Sequence, residues 1–176
     1  MNYQSLVLKH TDFPTLAVVE LGKYPDIDSL RRALSEHNVP IGDSGEALIR
    51  NLVLRNESRT VEVVGLTFKD LSIARRVTSR YNRAIVYETA AKYGFVPCSA
   101  SEGLEICAHL AMTLDPEQYD GDEFNVAMEP VKYEFEGDEY NDVLYATVGN
   151  PVPTRWLSAS TEEPFDYVRW IFIRPT

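Results

Sequence analysis

Apolar and polar residues follow two rhythms along this chain, a period near two and a period near 3.6, and the change between them marks out the elements. TLAVVELG, Thr15 to Gly22, is a β-branched apolar run closed by glycine and followed by Pro25, which predicts a buried strand. In DIDSLRRALSEHNV the spacing becomes helical: Ile27, Leu30, Ala33 and Leu34 share a face, Asp26 can cap the amino end, and the helix closes near Asn38. A second, short helix is expected over Gly45–Leu54, with Asp43 or Ser44 as its cap. TVEVVGLTF, Thr60 to Phe68, returns to the strand period. A helix then runs from Arg80 to Tyr93, capped by Thr78 or Ser79, packing through Ala84, Ile85, Tyr87 and Ala91, and ending where Gly94 can take a left-handed conformation.

Beyond Asp115 the grammar becomes one of short strands and turns. EFNVAMEPV (Glu123–Val131), DVLYATVG (Asp142–Gly149), TRWLSAS (Thr154–Ser160) and YVRWIFIRP (Tyr167–Pro175) are separated by the turn-rich EGDEYN, NPVP and TEEPFD. Consecutive strands with short connections predict an antiparallel meander. The fold class expected is therefore α+β, one domain over residues 1–176, with an N-terminal strand and helices packed on a mainly C-terminal antiparallel sheet.

The stretch YGFVPCSASEGLEICAHLAM, Tyr93 to Met112, holds both cysteines of the chain and is the densest gathering of chemistry. Ser99 and Glu102 form a capping-box pair immediately before an apolar run. A helix starting there puts Leu104, Cys107, Ala108 and Ala111 on one face, and Glu102, Glu105 and His109 on another. The packing reading makes Cys107 a small buried hydrophobe and the polar stripe a half-exposed surface. Gly103 weakens such a helix by ~1 kcal/mol relative to alanine. A chemical reading is open beside it. Glu102, Glu105 and His109 at helical spacing could converge on a cation, and Cys98, just before the helix, could be a thiol activated by the helix dipole with His109 as its base.

Composition narrows these choices. No run approaches the ~18 apolar residues of a membrane helix, and the amino end lacks the pattern of a secretory signal, so a cytoplasmic location is expected. The two cysteines have neither a disulfide framework nor zinc spacing. His10 and His37 lack partners at useful spacing; phosphate-loop, nucleophile-elbow, zincin and deaminase motifs are absent, and no cofactor is expected.

Charge changes the picture more. The net charge of −10 is concentrated: residues 1–95 carry thirteen Lys and Arg against eleven Asp and Glu, whereas residues 96–150 carry one against thirteen. Direct binding to a phosphate backbone, which needs Lys and Arg, is disfavoured. Within residues 115–142 carboxylates are interleaved with aromatics, so Glu134, Glu136, Asp138 and Glu139 together with Tyr133 and Tyr140 form a candidate surface for a basic protein partner, as in an inhibitor or a nucleic-acid mimic. Strand-edge acids that block aggregation are the plainer reading. Asp120, Asp122, Asp138 and Asp142 lack the full calcium-loop signature. Arg76, Arg80 and Arg83 would line one helix face, as a solvated ridge, as partners for the acidic segment, or as an anion-binding site. The expected role is a small acidic binding protein; the alternative is an enzyme or metal protein with a site around Cys98, Glu102, Glu105 and His109.

ELGKYPDIDSLRRAL, GFVPCSASEG after a Tyr- and Ala-rich helix, FNVAMEPV and the aromatic YVRWIFIRP occur in an order that resembles a family of small proteins from genomes of uncultivated bacteria. Its members carry a Cys-Pro turn, a Met-Glu-Pro segment and a Phe-rich C-terminal strand. This chain departs from them in having Pro97 before Cys98 and EICAHLAM where they are richer in Arg and Gln. The resemblance implies one compact domain and no catalytic residues.

Overall fold

A computed structural model of the chain describes residues 10–55, 57–73, 83–119, 122–148, 156–159 and 168–175. Strand β1 (Ala17–Leu21), helices α1 (Ile27–Glu36) and α2 (Asp43–Ile49), strand β2 (Arg59–Leu66) and helices α3 (Arg83–Ala91) and α4 (Ala100–Thr113) come first. Strands β3 (Asp122–Val126), β4 (Val131–Phe135), β5 (Asp138–Asp142), β6 (Leu144–Val148), β7 (Trp156–Ala159) and β8 (Val168–Ile173) follow. The class is α+β, and Asp26 caps α1 as its position predicts, in a reciprocal box with Ser29.

The sheet corrects the expected meander in two ways. Its strand order is β1-β2-β8-β3-β6-β7, so both strands from the first half of the chain belong to it. It is also mixed: β8 runs antiparallel to β2 but parallel to β3. The reason is apolar content. VRWIFI is buried on both faces at Trp170, Ile171 and Phe172, so it takes the interior place between two neighbours, where both faces are covered. Trp170 and Phe172 alternate with Ile171 and meet the ring of Tyr87 from α3 edge-on, at centroid distances of 5.8 and 6.2 Å.

Helix α4 lies on the other face. It touches β1 at one end of the sheet order and β6 and β7 at the other, so the sheet curls around it. Nine of its residues are buried, including Leu104, Ile106, Cys107, Ala108, Leu110 and Ala111. The half-exposed helix expected from the sequence is thus a core helix, capped at Ser99 by the predicted box with Glu102. Small side chains make the wrapping possible. A Cβ added at Gly103 would lie 2.6 Å from Sδ and 2.7 Å from Cβ of Met128, well inside van der Waals contact.

Two helices differ in detail. Helix α2 begins at Asp43 behind Gly42, which offers no side-chain cap, and stops at Ile49. In α3 the buried positions are Val86 and Ala90 with Tyr87 half-buried, whereas Ala84 and Ala91 are exposed. Arg83, Val86, Tyr87 and Ala90 form the i, i+3, i+4, i+7 stripe because Arg83 turns inward to an acidic partner. Gly94 ends the helix with φ +90° as expected. The predicted caps Thr78 and Ser79 lie outside the described residues.

Gly103→Ala separates propensity from packing. Alanine favours an exposed helix interior by ~1 kcal/mol, but overpacking against Met128 costs about 1–3 kcal/mol. Urea unfolding should therefore show a lower midpoint at unchanged slope.

Candidate functional site

Strands β4 and β5 form a separate two-stranded sheet, a hairpin that the sequence left as turn and strand end. Glu136 and Gly137 both take positive φ, +53° and +89°, which suits the two-residue turn that matches strand twist. Alternation then sorts the side chains. Val131, Tyr133, Phe135, Asp138, Tyr140 and Asp142 share one face, and Lys132, Glu134, Glu139 and Asn141 share the other.

The inner face is tied down at several points. Tyr133 is buried and stacks on half-buried Tyr140, with ring centroids 5.4 Å apart. The Tyr133 hydroxyl donates to Oδ2 of Asp142 at 3.0 Å, and Arg83 donates to Oδ1 at 3.2 Å and to the Asn141 carbonyl at 2.8 Å. Burial, with the Asp142 charge beside it, pushes the Tyr133 phenol well up. Asn51, just past α2, donates to the Lys132 carbonyl at 3.1 Å. The aromatics proposed as surface hot spots are therefore mostly the hairpin's anchors. Of the three arginines expected to form a ridge, Arg83 belongs to this anchor; Arg76 and Arg80 lie outside the described residues.

The carboxylates behave oppositely. Glu134, Glu136, Asp138 and Glu139 are exposed, and none takes part in an ion pair among the described residues. Glu134 faces Glu139 directly across the ladder. Like charges in that position destabilise a hairpin.

The four residues of the alternative site, Cys98 just before α4 and the other three on it, divide between two clefts. Cys98 and Glu102 line one of about 650 Å³ with Arg59, Glu62 and Arg174. Glu105 and His109 line another of about 520 Å³ beside β1 and α1. At 1.5 Å per residue the helix separates Ser99 from His109 by ~15 Å, too far for a thiol–imidazole pair. Among the described residues no three His, Cys, Asp or Glu side chains converge as a metal-binding group.

Each of the four has a local explanation. Cys98 forms an isolated parallel bridge with Met128: its N–H donates to the Ala127 carbonyl at 2.9 Å, and its own carbonyl accepts from Glu129 N–H at 2.8 Å. Burial, reinforced by the charges of Glu102 and Glu129, pushes its thiol up to about 12, opposite to the activation expected from the helix terminus. For Glu102, burial opposes the charge but the Ser99 cap and the Arg59 guanidinium outweigh it, and the carboxyl is held below its usual range. Glu105 is 2% exposed and accepts the Lys23 N–H at 3.2 Å; burial pushes its carboxyl up. Burial also lowers His109, helped by repulsion from Lys23 and opposed by Glu20. Cys107 is fully buried and its thiol is pushed up by burial alone.

Two outcomes are expected. Asp142→Ala removes the acceptor of the buried Tyr133 hydroxyl and one partner of half-buried Arg83 and should cost about 1–3 kcal/mol, whereas Tyr133→Phe should cost about 1 kcal/mol, both from chemical denaturation. The raised Cys98 pKa means the folded state holds that proton more tightly than the unfolded chain; its contribution to stability is full below pH 9 and is lost between there and about 12. A thiol reagent at pH 8 should leave Cys98 unmodified in folded protein and label it in denaturant. In comparisons with known proteins, the chain matches no family model, no curated protein and no solved structure.

Proposed function

We propose that this chain is a small binding protein that presents the β4–β5 hairpin to a basic partner. The observation that carries this reading is the uncompensated charge on a fixed support. Four exposed carboxylates cluster at a hairpin anchored by Tyr133, Asp142, Arg83 and Asn51: Glu134 and Glu139 directly opposed on its outer face, Glu136 in the turn, and Asp138 beside the turn opposite Phe135. A rigid acidic surface loses little entropy on docking, and its field speeds encounter with a positively charged partner. An inhibitor that fills a basic cleft, or a mimic of nucleic-acid phosphates, is one form of such a protein. The cytoplasmic location expected from the sequence belongs to the same proposal; among the described residues no helix is long and apolar enough to cross a membrane. An enzyme or metal site built jointly from Cys98, Glu102, Glu105 and His109 has less support, since those side chains open into separate clefts.

The test uses Glu134→Gln, Glu136→Gln, Asp138→Asn and Glu139→Gln combined, compared with the native protein in a quantitative pull-down from the source cell. Basic partners should be lost from the variant and should leave the native protein as salt is raised; equal recovery of every partner would sink the proposal. Stability supplies a second signature. Glu139→Lys should stabilise the fold by about 0.2–1 kcal/mol by relieving the Glu134 repulsion, while weakening partner capture.

A further inference from the structure

Strand β1 stands at one end of the strand order of the curled sheet: among the described residues it pairs with β2 on one side and with no strand on the other. Alternate backbone donors and acceptors of an edge strand point outward and can template another strand. This edge also exposes an apolar side chain, Val18, at 55%. Beside it opens the cleft of about 520 Å³, bounded by β1, α1 and α4. Tyr24, Ala33 and Met112 give it an apolar wall, and Glu20, Glu36 and Glu105 give it negative charge. Lys23, the only lysine or arginine of the lining among the described residues, stands 5.6 Å from the centroid of the Tyr24 ring. Glu20 and Glu36 are exposed and take part in no ion pair among the described residues.

We propose that an extended, basic segment of a partner protein adds as a strand to the outer edge of β1 and places a lysine or arginine side chain in the adjoining cleft against Glu20 and Glu36. Strand addition supplies affinity through the main chain, and a side-chain pocket beside the edge supplies selectivity. The cleft's charge decides the occupant. A second copy of this chain, with a net charge of −10, would bring its own Glu20 to an already acidic edge, whereas a cationic segment relieves it. The proposal rests on the reading of a basic partner and adds that partner's form, on a surface distinct from the hairpin.

The probe is an acetylated nine-residue peptide of alternating lysine and valine, titrated into isotope-labelled full-length protein and followed by amide NMR. Shifts and slowed exchange should centre on Ala17–Leu21 and on the cleft side of α1. Combining Glu20→Lys with Glu36→Lys should weaken the peptide at least about tenfold, with the rest of the spectrum unchanged. The variant neutralised at the hairpin should bind the peptide at β1 as tightly as the native protein, so failure here and failure of the hairpin reading are separate results. Absence of shifts along β1, shifts confined to the hairpin, or equal binding of a glutamate–valine peptide would each overturn the proposal.

Discussion

The structure depends on one constraint, that a single helix must pack against both ends of one curled sheet at once. Helix α4 touches β1 near one edge of the strand order and β6 and β7 near the other, and this closeness is possible only where the helix surface is thin. Gly103 lets Met128 approach, and Cys107, Ala108 and Ala111 are small and fully buried. Close packing of this kind admits no extra methyl group without a shift. The same constraint accounts for Glu105, whose carboxylate is surrounded by protein and engages the backbone that follows β1 at Lys23.

Charge is handled in two ways. Where they face the body of the protein the acidic groups are answered: Asp142 by Arg83 and Tyr133, Glu102 by Arg59 and Ser99, Asp122 by Arg169 at 2.8 Å. On the outer face of β4 and β5 they are left to solvent. Dividing one acidic stretch of sequence into an anchored inner face and an unanswered outer face is a property of strand alternation, since neighbours in sequence point to opposite sides. Tyr133 and Glu134 differ in fate for that reason alone.

How far the sequence could be read follows from the range of the forces involved. The capping boxes of α1 and α4 and the turn at Gly94 were legible because their partners lie within four residues. The face of α3 differs from the periodic one because Asp142, fifty-nine positions later, draws Arg83 in: pairing with the acidic segment is one of the roles its sequence allows, but the sequence does not say which carboxylate. Glu105 looks like part of a surface stripe because a helical pattern cannot show which backbone amides will reach it. The β4–β5 hairpin had a visible signal in the alternation of Val131, Tyr133 and Phe135 before Glu136-Gly137, masked by the density of charge around it. Of the acidic set, Glu134 and Glu139 share the outer face, Glu136 sits in the turn and Asp138 lies opposite Phe135, a division that the run of charge does not reveal. The Cys98–His109 set is spread out, since adjacency along a helix becomes ~15 Å in space.

The place of β8 has a further consequence. It follows every other strand of the sheet in the chain, yet it hydrogen-bonds to both β2 and β3 and joins the two halves. During synthesis on the ribosome, the halves can form their local elements and meet through α4, but no strand joins their parts of the sheet until residue 173 has emerged. Until then two apolar strand edges stand open, so the nascent chain passes through a stage exposed to mispairing, and the closing step, with its long sequence separations, is slow.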